Sequence, residues 1–96
     1  MMILITYDVN TESLTGQKRL RKVAKLCEKY GQRVQNSVFE CLLDASQYVF
    51  VKNELSNIID KNEDSLRFYR LGNNYKKQIE TMGVSQEYPQ DGILVV

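Results

Sequence analysis

RVQNSVFECLL, at residues 33–43, is the segment that decides how this chain folds. Its composition is typical of β-structure, but a polar run at residues 35–37 interrupts it. One interpretation is a short strand and a longer strand joined by a tight turn, and the other is a single continuous strand. Only a continuous strand would place alternate side chains of this segment on one face. Those side chains belong to Arg33, Gln35, Ser37 and Phe39.

Two elements precede this segment. Residues 2–8, MILITYD, predict a strand that is buried on both faces. After a polar loop, apolar residues recur at helical spacing from about Thr15 to Tyr30, and Gly31 is typical of a helix end. The apolar stripe of this helix comprises Leu20, Val23, Ala24, Leu26, Cys27 and Tyr30.

The part of the chain that follows residue 43 predicts a second helix and further strands. Asp44 and Gln47 have the spacing of a capping box, with Asp in place of the usual Ser or Thr. Apolar spacing after them predicts an amphipathic helix that ends near Asp60. Strand patterns and one turn signal complete the chain. The strands are predicted at residues 66–71, 77–82 and 92–96, and the turn at residues 72–74.

This order of elements is satisfied most economically by an α+β fold of the type βαββαβ, with both helices on one face of the sheet. We assign residues 1–82 to this domain and residues 83–96 to a C-terminal tail. The apolar strand at residues 92–96 has no obvious place in the sheet of its own chain. We therefore expect it to pair with the sheet edge of a second copy, which predicts a homodimer.

Length and charge restrict the possible functions. The chain has 96 residues, enough for one domain, and a formal net charge of +1. Residues 1–33 carry seven Lys and Arg against three Asp and Glu, whereas residues 34–96 carry six against nine. The first third should therefore form a basic surface on a near-neutral protein. The chain has no histidine, which excludes Ser/His and Cys/His nucleophilic catalysis and most zinc sites.

The cysteines and the N-terminus indicate the compartment. Cys27 lies on the helix stripe and Cys41 in an apolar strand, so both are interpreted as buried, reduced thiols. The first residues lack a basic region, and their apolar run is too short for a signal peptide or a membrane span. We expect a cytoplasmic protein that does not enter membranes.

Asp8 is the first candidate for chemistry. It ends the opening strand, where the backbone is held and the side chain meets the loop that follows. A carboxylate at such a position can bind a hard cation such as Mg²⁺, and two copies facing each other across a two-fold axis would bind it better. The alternative is that Asp8 caps a turn or binds loop amides.

A stripe of lysines is the second candidate. The lysines lie three or four residues apart on the face of the first helix opposite its apolar stripe, and Arg21 joins them. Such a stripe can follow a phosphate backbone, and a dimer would double its length. The alternative is an ordinary solvated helix face. The stripe comprises Lys18, Lys22, Lys25 and Lys29.

Four segments together resemble a known family. They are similar, in order and spacing from residue 1 to about residue 82, to the CRISPR-associated Cas-two (Cas2) family. Within it they are most similar to the small members that accompany type I-C systems. The segments are MILITYDV at residues 2–9, RLRKVAKLCEKYG at 19–31, RVQNSVFEC at 33–41 and LRFYRLG at 66–72.

The resemblance implies a ferredoxin-like homodimer with an exchanged C-terminal strand. Such a dimer bridges two dimers of the Cas-one (Cas1) integrase, lying against captured duplex DNA during spacer acquisition. The resemblance also implies an endonuclease that uses Mg²⁺, or another divalent cation such as Mn²⁺, on single-stranded RNA or double-stranded DNA.

The resemblance also assigns site residues. The family's metal-binding aspartate ends the first strand in a Tyr-Asp pair, which matches Tyr7 and Asp8 and makes Asp8 both the metal ligand and the catalytic residue. Basic and aromatic positions of the family match Arg33 and Phe39. Basic positions of the first helix match less directly, and the choices there include Arg19 and Arg21.

Three functions remain as hypotheses. In the first, two Asp8 carboxylates hold a Mg²⁺ that orients and acidifies a water, and arginines neutralise the phosphate. In the second, the same residues serve a structural bridge that binds DNA without relevant nuclease chemistry. In the third, the protein is an ACT-like regulator of the same fold that binds a small molecule. The third explains the fold but not the motifs.

Overall fold

The computed structural model describes residues 1–83 of the chain. The elements within this range follow the order βαββαβ, which confirms the predicted α+β, ferredoxin-like fold. A short 3-10 turn at Tyr75–Lys77 comes after the last of these elements. The six elements are β1 (Met2–Asp8), α1 (Leu14–Tyr30), β2 (Gln32–Gln35), β3 (Val38–Leu42), α2 (Ala45–Ile58) and β4 (Ser65–Gly72).

The sheet has the strand order β2-β3-β1-β4, and every neighbouring pair is antiparallel. β1 is therefore a central strand, with Ile5 opposite Phe39 of β3 on one side and opposite Phe68 of β4 on the other. Both helices pack on the face that carries Ile5, where they enclose the core. The core residues include Ile3, Ile5, Tyr7, Val23, Cys27, Phe39, Cys41, Val51 and Leu55.

The other face of the sheet, the helix-free face, differs from the prediction that β1 is buried on both sides. β1 is not buried on both sides within residues 1–83, because Leu4 and Thr6 are only half-buried and Asp8 is exposed. In the part of the chain that the structure describes, helices cover one face alone, so the alternate side chains of this apolar central strand remain in partial contact with solvent. A groove of about 620 Å³ lies along this face, lined by Leu4 and Val38 among others, and residues 78–83 border it.

Two other expectations are decided by the structure. Asn36 and Ser37 form a turn between β2 and β3, so the single continuous strand is wrong and the hairpin is confirmed. The strand predicted at residues 77–82 is also wrong, because Lys77 ends the 3-10 turn and residues 78–83 lie in neither helix nor strand. The strand predicted at residues 92–96 lies outside the described residues, and so does its exchange between subunits.

Caps and close contacts explain where the helices begin and end. The Asp44 carboxylate accepts a hydrogen bond from the Gln47 amide, and the Gln47 side chain accepts one from the Asp44 amide, so the predicted capping box is confirmed. Gly31 follows α1 in an extended conformation, with φ −161°. It is required by space: a Cβ there would collide with the Glu40 carbonyl and the Cys41 thiol.

The predicted burial of both thiols is confirmed. Cys27 and Cys41 are free and fully buried. Burial raises the pKa of Cys27 to about 12 and that of Cys41 to about 11, which leaves both as unreactive thiols at neutral pH. No helix within residues 1–83 is both long and apolar enough to cross a membrane.

Candidate metal and nucleic-acid site

Asp8 is the last residue of β1 and lies on the helix-free face with Leu4 and Thr6. It is paired across the sheet with Ser65, the first residue of β4. No hydrogen bond or ion pair formed within residues 1–83 involves the Asp8 carboxylate. Turn capping is done by other residues: Asn10 accepts a hydrogen bond from the Glu12 amide at 3.0 Å. The Asp8 carboxylate is thus accessible and uncommitted.

The loop after Asp8 is held by a buried carboxylate, Asp64, which comes directly before β4. Asp64 Oδ1 accepts a hydrogen bond from the Asn10 amide at 3.0 Å, and Oδ2 accepts one from the Asp60 amide at 2.9 Å. Arg19 Nε donates to Asp64 Oδ2 at 2.8 Å. One carboxylate therefore joins the loop after β1, the helix α1 and the loop before β4, directly beside the Asp8–Ser65 pair.

Asp64 is not among the residues that the sequence pattern indicated. Among residues 1–83 it is the one charged residue that is buried, and its side chain has no solvent exposure. Burial alone would raise its pKa, but the hydrogen bonds from Arg19 and from the Asp60 and Asn10 amides lower it below 3.8. A signal was available: in this topology the residue before β4 must lie beside the loop after β1.

Arg19, one of the predicted phosphate contacts, is already engaged in ion pairs. Its guanidinium binds Asp64 at 2.8 Å and Glu63 at 3.2 Å, and its side chain is only 15% exposed. Hydrogen bonding to Asp64 raises the pKa of Arg19 further. Gly16, one turn earlier in α1, lets the helix approach the Asn10 carbonyl closely. This part of the site is built to hold a loop in place.

Tyr7, Phe39 and Arg33 form a second cluster, on the helix-covered face. The Tyr7 and Phe39 rings stack with centroids 6.1 Å apart, and the Tyr7 hydroxyl donates to the Asn36 carbonyl at 3.3 Å. Burial raises the pKa of Tyr7 to about 12. The Arg33 guanidinium lies 5.1 Å from the Phe39 ring centroid and donates to Glu28 at 3.0 Å. The cluster stabilises the β2–β3 hairpin against α1.

The structure does not bring Arg33 and Asp8 together within one chain. Phe39 pairs with Ile5 on one side and with Arg33 on the other, so Arg33 is two strands away from β1. Asp8 is three residues further along β1, which makes the Cα separation roughly 14 Å from strand geometry. The two side chains also lie on opposite faces of the sheet.

The lysine stripe is a third and separate surface. The lysines are exposed, as is Arg21, and they lie on the side of α1 away from the buried Val23 and Cys27. None of the ion pairs within residues 1–83 includes these side chains. The helix layer separates the stripe from the helix-free face. The residues are Lys18, Arg21, Lys22, Lys25 and Lys29.

The donors around Asp8 fit a weakly held hard cation. Residues 1–83 contain no group of three or more Asp, Glu, Cys or His side chains that could hold a metal ion. A single accessible carboxylate suits Mg²⁺ or Mn²⁺, because such ions keep most of their waters and take further oxygens from a phosphate substrate. A second Asp8 carboxylate, from another subunit, would strengthen the site.

The chain is similar to known proteins in sequence and in fold. The family model for "CRISPR associated protein Cas2" matches residues 1–79. The chain is 63% identical over 83 residues to the CRISPR-associated endonuclease Cas2 of Halalkalibacterium halodurans, which covers 86% of each chain. It is 48% identical over 96 residues, all of both chains, to the CRISPR-associated endoribonuclease Cas2 of Chlorobaculum tepidum.

A solved structure matches as well. The crystal structure of Streptococcus pyogenes Cas2 at pH 6.5 superimposes with a TM-score of 0.77 and 59% identity, covering 86% of this chain and 100% of the other. The names of the curated relatives support the nuclease activity that the sequence predicted.

Proposed function

This chain belongs to the family of CRISPR-associated protein Cas2. From that premise we propose that it is an endonuclease that cleaves phosphodiester bonds with the help of a metal ion. We propose that it acts as a homodimer during spacer acquisition. One observation carries the proposal: Asp8 ends a central strand with an exposed carboxylate that no other group within residues 1–83 engages. Its proposed substrates are double-stranded DNA and single-stranded RNA. We further propose that the protein is cytoplasmic and most similar to type I-C members.

Asp8 from each of two subunits would hold the cation, Mg²⁺ or Mn²⁺. When bound, the cation would supply Lewis-acid stabilisation of phosphate charge and a more acidic water. The lysine stripe and Arg21 would hold phosphates of the same nucleic acid away from the cleaved bond, because the helix layer separates them from Asp8. Arg19 and Arg33 remain proposed phosphate contacts on one condition: a phosphate must replace the carboxylates that they bind now, which are Asp64 and Glu28. Phe39, which stacks against Tyr7, would hold the Arg33 guanidinium in position by contact with its ring.

An assay of the purified protein tests this proposal. Duplex DNA and single-stranded RNA are incubated with Mg²⁺, with Mn²⁺ and with excess chelator. We expect cleavage of one or both substrates that requires the metal and co-elutes with the protein. Cleavage that continues in chelator would contradict a metal-dependent mechanism.

We propose that the homodimer forms through exchange of the C-terminal strand. Support comes from the apolar composition of residues 92–96 and from the half-buried apolar side chains of the helix-free face, such as Leu4 and Val38. Deleting residues 92–96 should convert the dimer to monomers or aggregates, because the partner sheet loses an apolar strand. Sedimentation velocity measures this, and a stable dimer after the deletion would contradict strand exchange.

A second candidate function is a structural bridge between Cas1 integrase dimers. The observation that favours it is the position of the lysine stripe, which the helix layer separates from Asp8. A surface remote from the cutting site suits an extended duplex held during integration.

The lysine stripe gives a prediction for either function. Changing Lys18, Lys22, Lys25 and Lys29 together to Gln should weaken duplex DNA binding and flatten its dependence on salt. Each lost phosphate contact lowers the slope of log K against log salt by about 0.9. Titrations at several salt concentrations measure the slope. An unchanged affinity and slope would identify the stripe as a solvated helix face.

A further inference from the structure

β4 places a second group of polar side chains on the face of Asp8. Because Asp8 pairs with Ser65 and Thr6 pairs with Arg67, alternation puts Ser65, Arg67 and Tyr69 on the helix-free face. Arg67 is thus the diagonal neighbour of Asp8 across the β1–β4 ladder. Such neighbours are roughly 7–8 Å apart, which a long side chain can span.

The Arg67 guanidinium is held by a neutral partner, the Tyr69 hydroxyl, which leaves its positive charge uncompensated. Arg67 is exposed, and its NH1 donates to the Tyr69 hydroxyl at 3.3 Å. No ion pair within residues 1–83 includes Arg67, whereas Arg19 and Arg33 are both bound to carboxylates. Arg67 therefore keeps a full positive charge on the same face as the uncommitted Asp8.

We propose that Arg67 binds the phosphate that is cleaved at Asp8, and that Tyr69 positions its guanidinium. This inference rests on the proposed function. The planar fork of arginine can donate two parallel hydrogen bonds to a phosphate, which a lysine cannot reproduce. Residues that the sequence pattern suggested for this role lie on the helix-covered face or on α1, while Arg67 shares the face of Asp8.

The reaction defines what Arg67 does. A water oxygen bonds to phosphorus, the bond from phosphorus to the leaving nucleotide oxygen breaks, and one water proton ends on that leaving oxygen. Negative charge grows on the non-bridging phosphate oxygens as the new bond forms. A fixed cation beside those oxygens stabilises the transition state more than the bound substrate, which raises the rate.

Arg70 provides a matched control on the same strand. It pairs with Ile3, so it lies on the opposite face from Arg67, although it is also exposed. Arg67→Gln should reduce metal-dependent cleavage roughly 100-fold, the scale of losing one charge-stabilising donor. Arg67→Lys should recover about tenfold of that loss because it keeps the charge but not the fork. Arg70→Gln should cleave within about twofold of the unmodified protein.

Binding in chelator gives a readout that does not need cleavage. A short duplex DNA is titrated at several salt concentrations with each variant. Arg67→Gln should lower the salt slope by about one for each subunit in contact with phosphate, and Arg70→Gln should lower it less. Equal slopes for the two variants would overturn the proposal, since Arg67 would then contribute only general charge.

Two controls separate this inference from others. Sedimentation must show Arg67→Gln in the same oligomeric state as the unmodified protein, and a loss of the dimer would overturn the proposal by assigning Arg67 to a subunit interface. Asp8→Asn is assayed in parallel. If it cleaves normally, the metal-dependent nuclease proposal fails, and the comparison of salt slopes alone then decides for or against phosphate binding by Arg67.

Discussion

Replacing Asp8 by asparagine should abolish metal-dependent cleavage while the fold and oligomeric state are unchanged. Asn has nearly the same shape but lacks the charge that holds a hard cation. A metal contributes several kcal/mol to the stabilisation of a phosphoryl transition state, and about 4 kcal/mol corresponds to roughly a thousandfold in rate. The fold should not suffer, because the Asp8 carboxylate is exposed and makes no hydrogen bond within residues 1–83.

Glu12→Gln is the matched control for this variant. Glu12 is an exposed acid in the loop that follows Asp8, and its substitution removes one negative charge nearby without touching the strand end. We expect its cleavage rate to be close to normal. Duplex binding by Asp8→Asn should be equal to or stronger than normal, because a carboxylate that repels phosphate is gone. Full cleavage by Asp8→Asn would place the chemistry elsewhere.

The same variant distinguishes the nuclease from the bridge. In the proposed bridge function, spacer integration with Cas1 would need only the surface and shape of the protein, so it should survive Asp8→Asn if bridging is separate from cleavage. The position of the lysine stripe, away from the face of Asp8, is consistent with that separation. Loss of integration by a folded, dimeric Asp8→Asn protein would mean that bridging alone does not describe the function.

The fold was predictable because its determinants are local. The helix α1 follows from apolar spacing, α2 from the capping box at Asp44, and the β2–β3 turn from the polar residues 35–37. Where a local pattern gave a wrong prediction, the packing of segments distant in sequence determined the structure instead. Residues 77–82 have a strand-like pattern, but a 3-10 turn at Tyr75–Lys77 precedes them, and residues 78–83 border the groove of the helix-free face instead of pairing with a strand. Burial of β1 on one face followed from both helices packing on the same side.

The candidate site was predictable only in part, for the same reason. Asp8 was identified because a strand end is visible in the sequence. Asp64 and Arg67 were not identified. The topology places the start of β4 beside the loop after β1, but the register between these two strands, which are far apart in the chain, determines which residues lie there. Arg33 is the converse case. Its motif is distinctive, but the strand geometry places it two strands away from β1 and on the other face.

Asp64→Ala should strongly destabilise the fold. It removes the acceptor for the Asn10 and Asp60 amides and leaves the largely buried Arg19 without its closest carboxylate. Breaking a buried ion pair and its hydrogen bonds costs about 3 kcal/mol in the free energy of unfolding. For a domain of this size that corresponds to a fall in Tm of roughly 15 °C. Thermal and chemical denaturation measure it.

Glu63→Ala is the matched control, because Glu63 also binds Arg19 but is half-exposed, and exposed ion pairs contribute about 0–1 kcal/mol. Dependence on pH gives a second test. The folded pKa of Asp64 lies below its ordinary value of 3.8, so its stabilisation is fully present above that pH and is lost as the pH falls through the folded value. The difference in unfolding free energy between the unmodified protein and Asp64→Asn should therefore be largest near neutral pH and shrink below about pH 4. Equal effects of Asp64→Ala and Glu63→Ala, or a difference for Asp64→Asn that does not change with pH, would show that the buried carboxylate does not hold the loop behind Asp8.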